Sequence, residues 1–205
     1  MRVLFLGAHP DDELGCAGTI FKLNNYGFNP KVTAVTFTTC ADELPSGFSE
    51  SDIVVEWQMA MNRIGVEDMS IHHFPNKNLP EFRQPILEIL DNYRNPLPDL
   101  VLIPSPTDSH QDHRTVAEEG IRAFKQTSIL SYELPLNAVR SGVPNAFQPL
   151  NEYEMIAKKD HAAMYKSQAR KNYMAGDYIE ALATVRGMQI GRDYAEGFEV
   201  IRWVL

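Results

Sequence analysis

The sequence has only two cysteines, Cys16 and Cys40, in 205 residues. Two thiols cannot build a disulfide framework and these two do not form a paired metal-ligand spacing, so the core must hold the fold and reduced thiols are expected. Basic residues are also scarce: 19 Lys and Arg face 27 Asp and Glu, giving a formal net charge of −8, and no Lys/Arg run interrupts the balance. That composition opposes binding to a polyanion, so no nucleic-acid partner is expected. No apolar stretch reaches the ~20 residues that span a bilayer, and no integral membrane segment is predicted. Met1 and Arg2 lead directly into an apolar run without a charged leader or signal segment, which predicts a cytoplasmic location. Gly7-Ala8-His9 does not complete a glycine-rich phosphate loop, which disfavours a nicotinamide or flavin oxidoreductase.

What remains is an ordinary globular composition, 44% hydrophobic and 22% charged, with enough residues for a substantial core. One domain over residues 1–205 is the expectation. β-Branched apolar runs alternate with helical-period segments, the pattern of an α/β domain on a mainly parallel sheet covered on both faces. Strands are predicted at residues 2–7, 32–37, 71–74, 100–103, 129–134 and 197–204. Helices are predicted from Leu14 to Tyr26, from Ser49 to Ile64 with Gly65 as the stop, and from Pro85 to Tyr93. Further helices are predicted from Arg114 to Lys125 and over 151–183 apart from Gly176. Residues 137–150 read as an irregular substrate-side loop.

Two clusters carry the chemistry. Ala8-His9-Pro10-Asp11-Asp12-Glu13 follows the first strand, and His110-Gln111-Asp112-His113 ends the loop after Leu100–Ile103. In open α/β sheets ligands bind beyond the carboxyl ends of the strands, where both clusters fall. If the two strands are near neighbours, His9, Asp12 and His113 converge, and two imidazoles with one carboxylate form a recurrent catalytic zinc set. Adjacent acids point in different directions, so one of Asp11 and Asp12 is free to serve as general base toward a metal-activated water. His110 is placed to stabilise a developing oxyanion, and Asp112 to orient one of the imidazoles. Together these parts describe metal-assisted hydrolysis of an acyl group, amide or ester.

Each cluster alone also has a bland reading: His9 as a core histidine, Asp11 and Asp12 as caps of the helix near Leu14. Two clusters in order after matching strands favour the metal reading. His72-His73 reads as structural, because successive strand residues face opposite ways. His161 and Lys158-Lys159 read as surface positions, and Arg140 as either a substrate-anion contact or a solvated residue.

Ala-His-Pro-Asp-Asp-Glu and His-x-Asp-His together resemble the signature pair of the LmbE-like, or PIG-L, zinc N-deacetylase family. The resemblance continues through Glu56-x-x-x-Ala60, Gly65-Val66, Tyr132-Glu133, Phe147-x-Pro149, Lys159-x-x-Ala162, Ser167-Gln168 and Glu196-x-Phe198. It implies a Rossmann-like fold and removal of an acetyl group from an N-acetylglucosamine-type sugar bearing a lipid, inositol, nucleotide or oligosaccharide aglycone. By motif position it implies Zn2+, or another divalent metal, on His9, Asp12 and His113, with Asp11 as general base and His110 at the oxyanion. The choice of Asp11 over Asp12 as base comes from the resemblance alone.

Three positions depart from the family pattern. Ile53 stands where an arginine is common, Cys40 lies in a run that replaces Thr-x-Gly-Glu, and Asn76 replaces a common aspartate. All three fall in substrate-binding territory. The leading expectation is therefore a zinc-dependent N-deacetylase whose partner is a small N-acetyl amino-sugar conjugate; a homo-oligomer is compatible with the sequence. The alternatives are an amidase for another amide conjugate, which a wide apolar pocket under residues 137–150 would favour, and a non-catalytic sugar- or metal-binding module.

Overall fold

The first strand, β1 (Arg2–Gly7), sends Val3 and Phe5 into one apolar cluster and Leu4 and Leu6 into another, as the two-residue period of a strand requires. Both faces of the sheet are consequently buried. The computed structural model of this chain describes residues 1–25, 31–137 and 143–205. Beyond β1, its strands are β2 (Lys31–Thr36), β3 (Asp68–Ile71), β4 (Leu100–Ile103), β5 (Ser128–Tyr132), β6 (Ala146–Leu150) and β7 (Tyr194–Arg202). They form one sheet in the order β3-β2-β1-β4-β5-β7-β6. The first five run parallel, and β7 lies antiparallel to both β5 and β6.

Helices α1 (Ala17–Asn25), α2 (Glu50–Arg63), α5 (Glu152–Ala163) and α6 (Gly176–Met188) contribute Ile20, Trp57, Met155 and Ile179 to the cluster on the Phe5 face. On the other face α3 (Arg83–Asp91) and α4 (Gln111–Ala123) contribute Ile86, Leu90 and Val116 around Leu6. Gly120 lets α4 lie close to the sheet, since a Cβ there would meet Leu6 at 3.1 Å and Ile103 at 3.2 Å. The chain is a single-domain α/β fold with a mostly parallel sheet, as expected.

Several boundaries move. β3 is Asp68–Ile71 rather than 71–74, because Gly65, at φ +82°, ends α2 and the chain enters the edge strand directly. His72 and Phe74 then donate backbone N–H groups to Thr36 and Phe37 beyond the strand. α4 begins at Gln111, three residues earlier than predicted, because His110 acts as its cap: His110 Nδ1 accepts from the Asp112 N–H at 3.2 Å. Part of the supposed irregular loop, Ala146–Leu150, is an edge strand on β7, where Pro149 is tolerated. The long helix over 151–183 divides instead into α5, two 3-10 turns at Lys166–Gln168 and Asn172–Met174, and α6 starting at Gly176. Glu56 of α2 causes the break, by taking the Ser167 N–H and hydroxyl at 3.0 and 2.6 Å. Tyr26, Arg140 and Gly142 lie outside the described residues.

Candidate active site

Strand order reverses between β1 and β4, which diverge toward β2 and β5, and such a reversal opens a crevice at the strands' carboxyl ends. The peptide after β1 turns there at once. Asp11 adopts φ +95°, a left-handed conformation unusual for a residue with a Cβ, and Asp12–Gly15 form a 3-10 turn. The Asp11 side chain makes no cap bond. The N-terminus of α1 is capped from far away, by Glu196 accepting the Gly18 and Thr19 N–H groups at 2.9 and 2.7 Å. The capping explanation for the adjacent acids therefore fails, and both are buried.

Asp12 Oδ2 accepts from the backbone N–H groups of Ala8 and His9 at 2.7 and 2.9 Å. Its other oxygen, Oδ1, lies 3.1 Å from His113 Nε2 and 3.8 Å from His9 Nδ1. These two imidazole nitrogens are themselves 3.0 Å apart. Each ring turns its remaining nitrogen to a carboxylate: His9 Nε2 to Asp112 Oδ2 at 3.2 Å, and His113 Nδ1 to Asp108 Oδ2 at 2.7 Å. In the neutral rings the protons belong on the carboxylate-facing nitrogens, so two lone pairs and one carboxylate oxygen converge at the centre. Three acceptors facing one another in a buried site repel unless a cation lies among them, and this donor set suits a divalent metal.

The electrostatics of the metal-free chain agree. Burial lowers the His113 imidazole, but Asp12 and Asp108 outweigh it and hold it up at about 10. For His9, burial is likewise overcome by Asp112 and Asp12, and its pKa is raised. Burial works to raise Asp12, yet His113 and His9 hold it well below the usual carboxylate range. Asp11 differs from its neighbour. Burial pushes its carboxyl up against the pull of Lys171, with Asp12 adding to the rise and the Tyr173 hydrogen bond opposing it.

His110 completes a group of three imidazoles, its ring 4.7 Å from that of His9 and 4.8 Å from that of His113. Its own nitrogen atoms can be drawn together with theirs within 4.8 Å, so geometry alone admits a three-histidine site. The lone pair of Nδ1, however, is occupied by the Asp112 N–H. Burial, with His9 and His113, pushes the ring down to about 4, so it is neutral at pH 7 and Nε2 carries the proton. A ring in that state donates a hydrogen bond and is poorly suited to ligate.

His9, Asp11, Asp12, His110 and His113 line one cavity of about 330 Å³, while Asp112 lies fully buried behind His9, fixed by the Lys77 and Leu79 N–H groups at 2.7 and 3.1 Å. All six residues named from the sequence are thus gathered. Ile53, Cys40 and Asn76, the three departures, line the same cavity. Its far wall is largely apolar, with Leu134 and Leu136 after β5 and Tyr178 and Leu182 on α6.

Four contributors were not visible in the sequence. Asp108 is one; an acid five residues before a helix-opening histidine was its only signal. Lys171 and Tyr173 are two more, hidden in what reads as continuous helix. The fourth is His161, which is fully buried with Nε2 2.9 Å from Glu13 Oε1 rather than at the surface. Tyr165 donates to the same Glu13 oxygen. Lys158 is also buried, paired with Glu196 at 2.5 Å, whereas Lys159 is partly exposed and pairs with Glu180. His72 stacks on Phe37, with ring centroids 5.5 Å apart, as befits a structural residue.

A mainly parallel α/β sheet with a buried carboxylate–imidazole centre at its switch point is an arrangement that suits a metal-dependent hydrolase. Within that class, residues 4–124 match the family described as PIG-L, GlcNAc-PI de-N-acetylase, and the chain belongs to this LmbE-like family of N-deacetylases. Among solved structures, a conserved protein of Thermus thermophilus is similar, with TM-score 0.82 and 22% identity over 99% of this chain and 95% of that one. The N,N'-diacetylchitobiose deacetylase of Pyrococcus horikoshii has TM-score 0.78 and 22% identity, covering 98% of this chain and 83% of its own. GalB of Pseudomonas putida, a 4-carboxy-2-hydroxymuconate hydratase, shares the fold at TM-score 0.78 and 16% identity over 100% of this chain and 97% of its own. At these identities the likeness is one of fold. Among the described residues no helix is long and apolar enough to cross a membrane.

Proposed function

We propose that residues 1–205 form one cytoplasmic, zinc-dependent deacetylase domain that removes the acetyl group from an N-acetylglucosamine-type amino sugar or its conjugate. The observation that carries this reading is the convergence of His9 Nδ1, His113 Nε2 and Asp12 Oδ1 at the cavity wall. These three residues would hold the ion. When bound, it supplies a Lewis acid that acidifies water and polarises the acyl carbonyl.

The chain's own groups supply the rest. Asp11 accepts the proton of the attacking water as its oxygen bonds to the acyl carbon. His110 Nε2–H donates to the carbonyl oxygen as negative charge develops there. Asp112 and Asp108 fix the rings of His9 and His113. As the C–N bond breaks, Asp11 returns its proton to the departing nitrogen, so the products are a free amine and acetic acid, which passes its remaining proton to the solvent or the amine and leaves as acetate.

A panel of N-acetylglucosamine conjugates tests this reading. Wild-type protein is expected to release acetate from at least one, and Asp11→Asn to release it about 10²- to 10⁴-fold more slowly. No release from any acylated amine by zinc-loaded protein would overturn it. The apolar wall of Leu134, Leu136, Tyr178 and Leu182 favours a second reading, an amidase for a more apolar amide conjugate, so the panel includes long-chain acyl amines.

A further inference from the structure

The geometry points to Tyr173 and Lys171 as positioning residues for Asp11, holding its carboxylate so that only one oxygen is free to take a proton. This rests on the reading of Asp11 as the general base. The Tyr173 hydroxyl donates to Asp11 Oδ2 at 2.8 Å, and Lys171 Nζ lies 3.3 Å from the same atom. Both donors engage Oδ2, which assigns the proton-accepting role to Oδ1.

A carboxylate needs this kind of support here. Asp11 occupies a left-handed backbone conformation, and such strain persists only where surrounding contacts over-determine it. Its neighbours in the turn are anchored already: Asp12 by the Ala8 and His9 N–H groups, and Glu13 by His161 and Tyr165. The Asp11 side chain is anchored by the stretch between α5 and α6. Tyr173 lies in the 3-10 turn Asn172–Met174 and Lys171 just before it, with Lys171 Nζ 5.4 Å from the centre of the Tyr173 ring. Both residues line the cavity, so the pair grips Asp11 from within it.

The two donors divide the work. The Tyr173 hydroxyl is a single directional donor on a ring with few rotamers, and it fixes the orientation of the carboxyl plane. The Lys171 ammonium, about half exposed, adds charge at the same oxygen and tolerates more displacement.

The experiment is a double-mutant cycle in the full-length zinc-loaded protein, using the N-acetylglucosamine conjugate that wild type turns over fastest. Tyr173→Phe is expected to lower kcat by roughly 10- to 100-fold, the loss typical of a hydrogen bond to a charged group, with KM and zinc per chain unchanged. Lys171→Met is expected to lower kcat less, and Lys171→Arg to restore it. Adding Tyr173→Phe to Asp11→Asn is expected to cost nothing further, since the group being positioned is gone. A crystal structure of Tyr173→Phe should show the Asp11 carboxylate turned from its present orientation.

Additive losses, a loss carried by KM, or a Tyr173→Phe kcat within about twofold of wild type would overturn the inference. If Tyr173→Phe fails to fold, the Lys171 variants, at a half-exposed position, run the same cycle with the same criteria. Failure of the base reading looks different: Asp11→Asn then keeps a kcat within about twofold of wild type, or no acylated amine is turned over by wild type.

Discussion

Adjacent carboxylates rarely share an environment, and the pKa values of Asp11 and Asp12, one peptide apart, are moved in opposite directions. Asp12 faces two imidazoles and is kept ionised; Asp11 faces the cavity, and burial raises its pKa. Such a division suits a ligand and a base. Asp11→Asn is expected to lower kcat by about 10²- to 10⁴-fold while zinc stays bound, which metal analysis alongside acetate release can check. His110→Ala is expected to lower kcat by about 10²- to 10³-fold, again with zinc retained. Loss of zinc in that variant would instead make His110 a ligand and displace the assignment of Asp12. At this scale the sequence was most legible. His9, Asp12 and His113 announce themselves because imidazoles and acids at strand ends have few other uses. Asp108 does not, since an aspartate in a loop has many.

Elements distant in sequence build the support beneath the site. Glu196 on β7 caps α1, accepts from the Thr19 hydroxyl at 2.5 Å and pairs with buried Lys158 of α5. One side chain therefore ties together a strand and two helices. Glu196→Ala removes these bonds and leaves an ammonium buried without its partner, which is expected to cost about 3–5 kcal/mol in urea unfolding. A change below about 1 kcal/mol would show that the cap is dispensable. None of this was legible in the sequence. Lys158 and His161 lie in a helix of alternating charge, and helical periodicity alone places them at the surface. Their acids, Glu196 and Glu13, are 38 and 148 residues away. Regular elements were easier, because apolar runs such as Leu100–Ile103 carry their own period. The break after α5 was not, because a tertiary contact, Glu56 to Ser167, imposes it.

For the whole molecule, stability, acidity and metal binding are linked. In the metal-free protein His113 titrates near 10, above the ~6.5 of an unfolded histidine. Its contribution to folding is therefore complete below about pH 6.5 and fades as pH rises toward 10. Zinc must displace that proton, so its apparent affinity for the apo-protein is expected to strengthen with pH across the same window, with protons released on binding. Calorimetry in buffers of different ionisation enthalpy would measure the release; none would contradict the linkage. Chelation is expected to abolish activity and lower the Tm. At free zinc of 100 times Kd the stabilisation lost is about 2.7 kcal/mol.

The central claim is that loops after two strands adjacent in space but far apart in sequence grip one ion. Anomalous diffraction from zinc-soaked crystals, recorded on both sides of the zinc edge, tests it most directly. The account predicts a single strong peak within coordination distance of His9 Nδ1, His113 Nε2 and Asp12 Oδ1, with His110 outside it. A peak ligated by His110 in place of Asp12, or none among these atoms at saturating zinc, would contradict it.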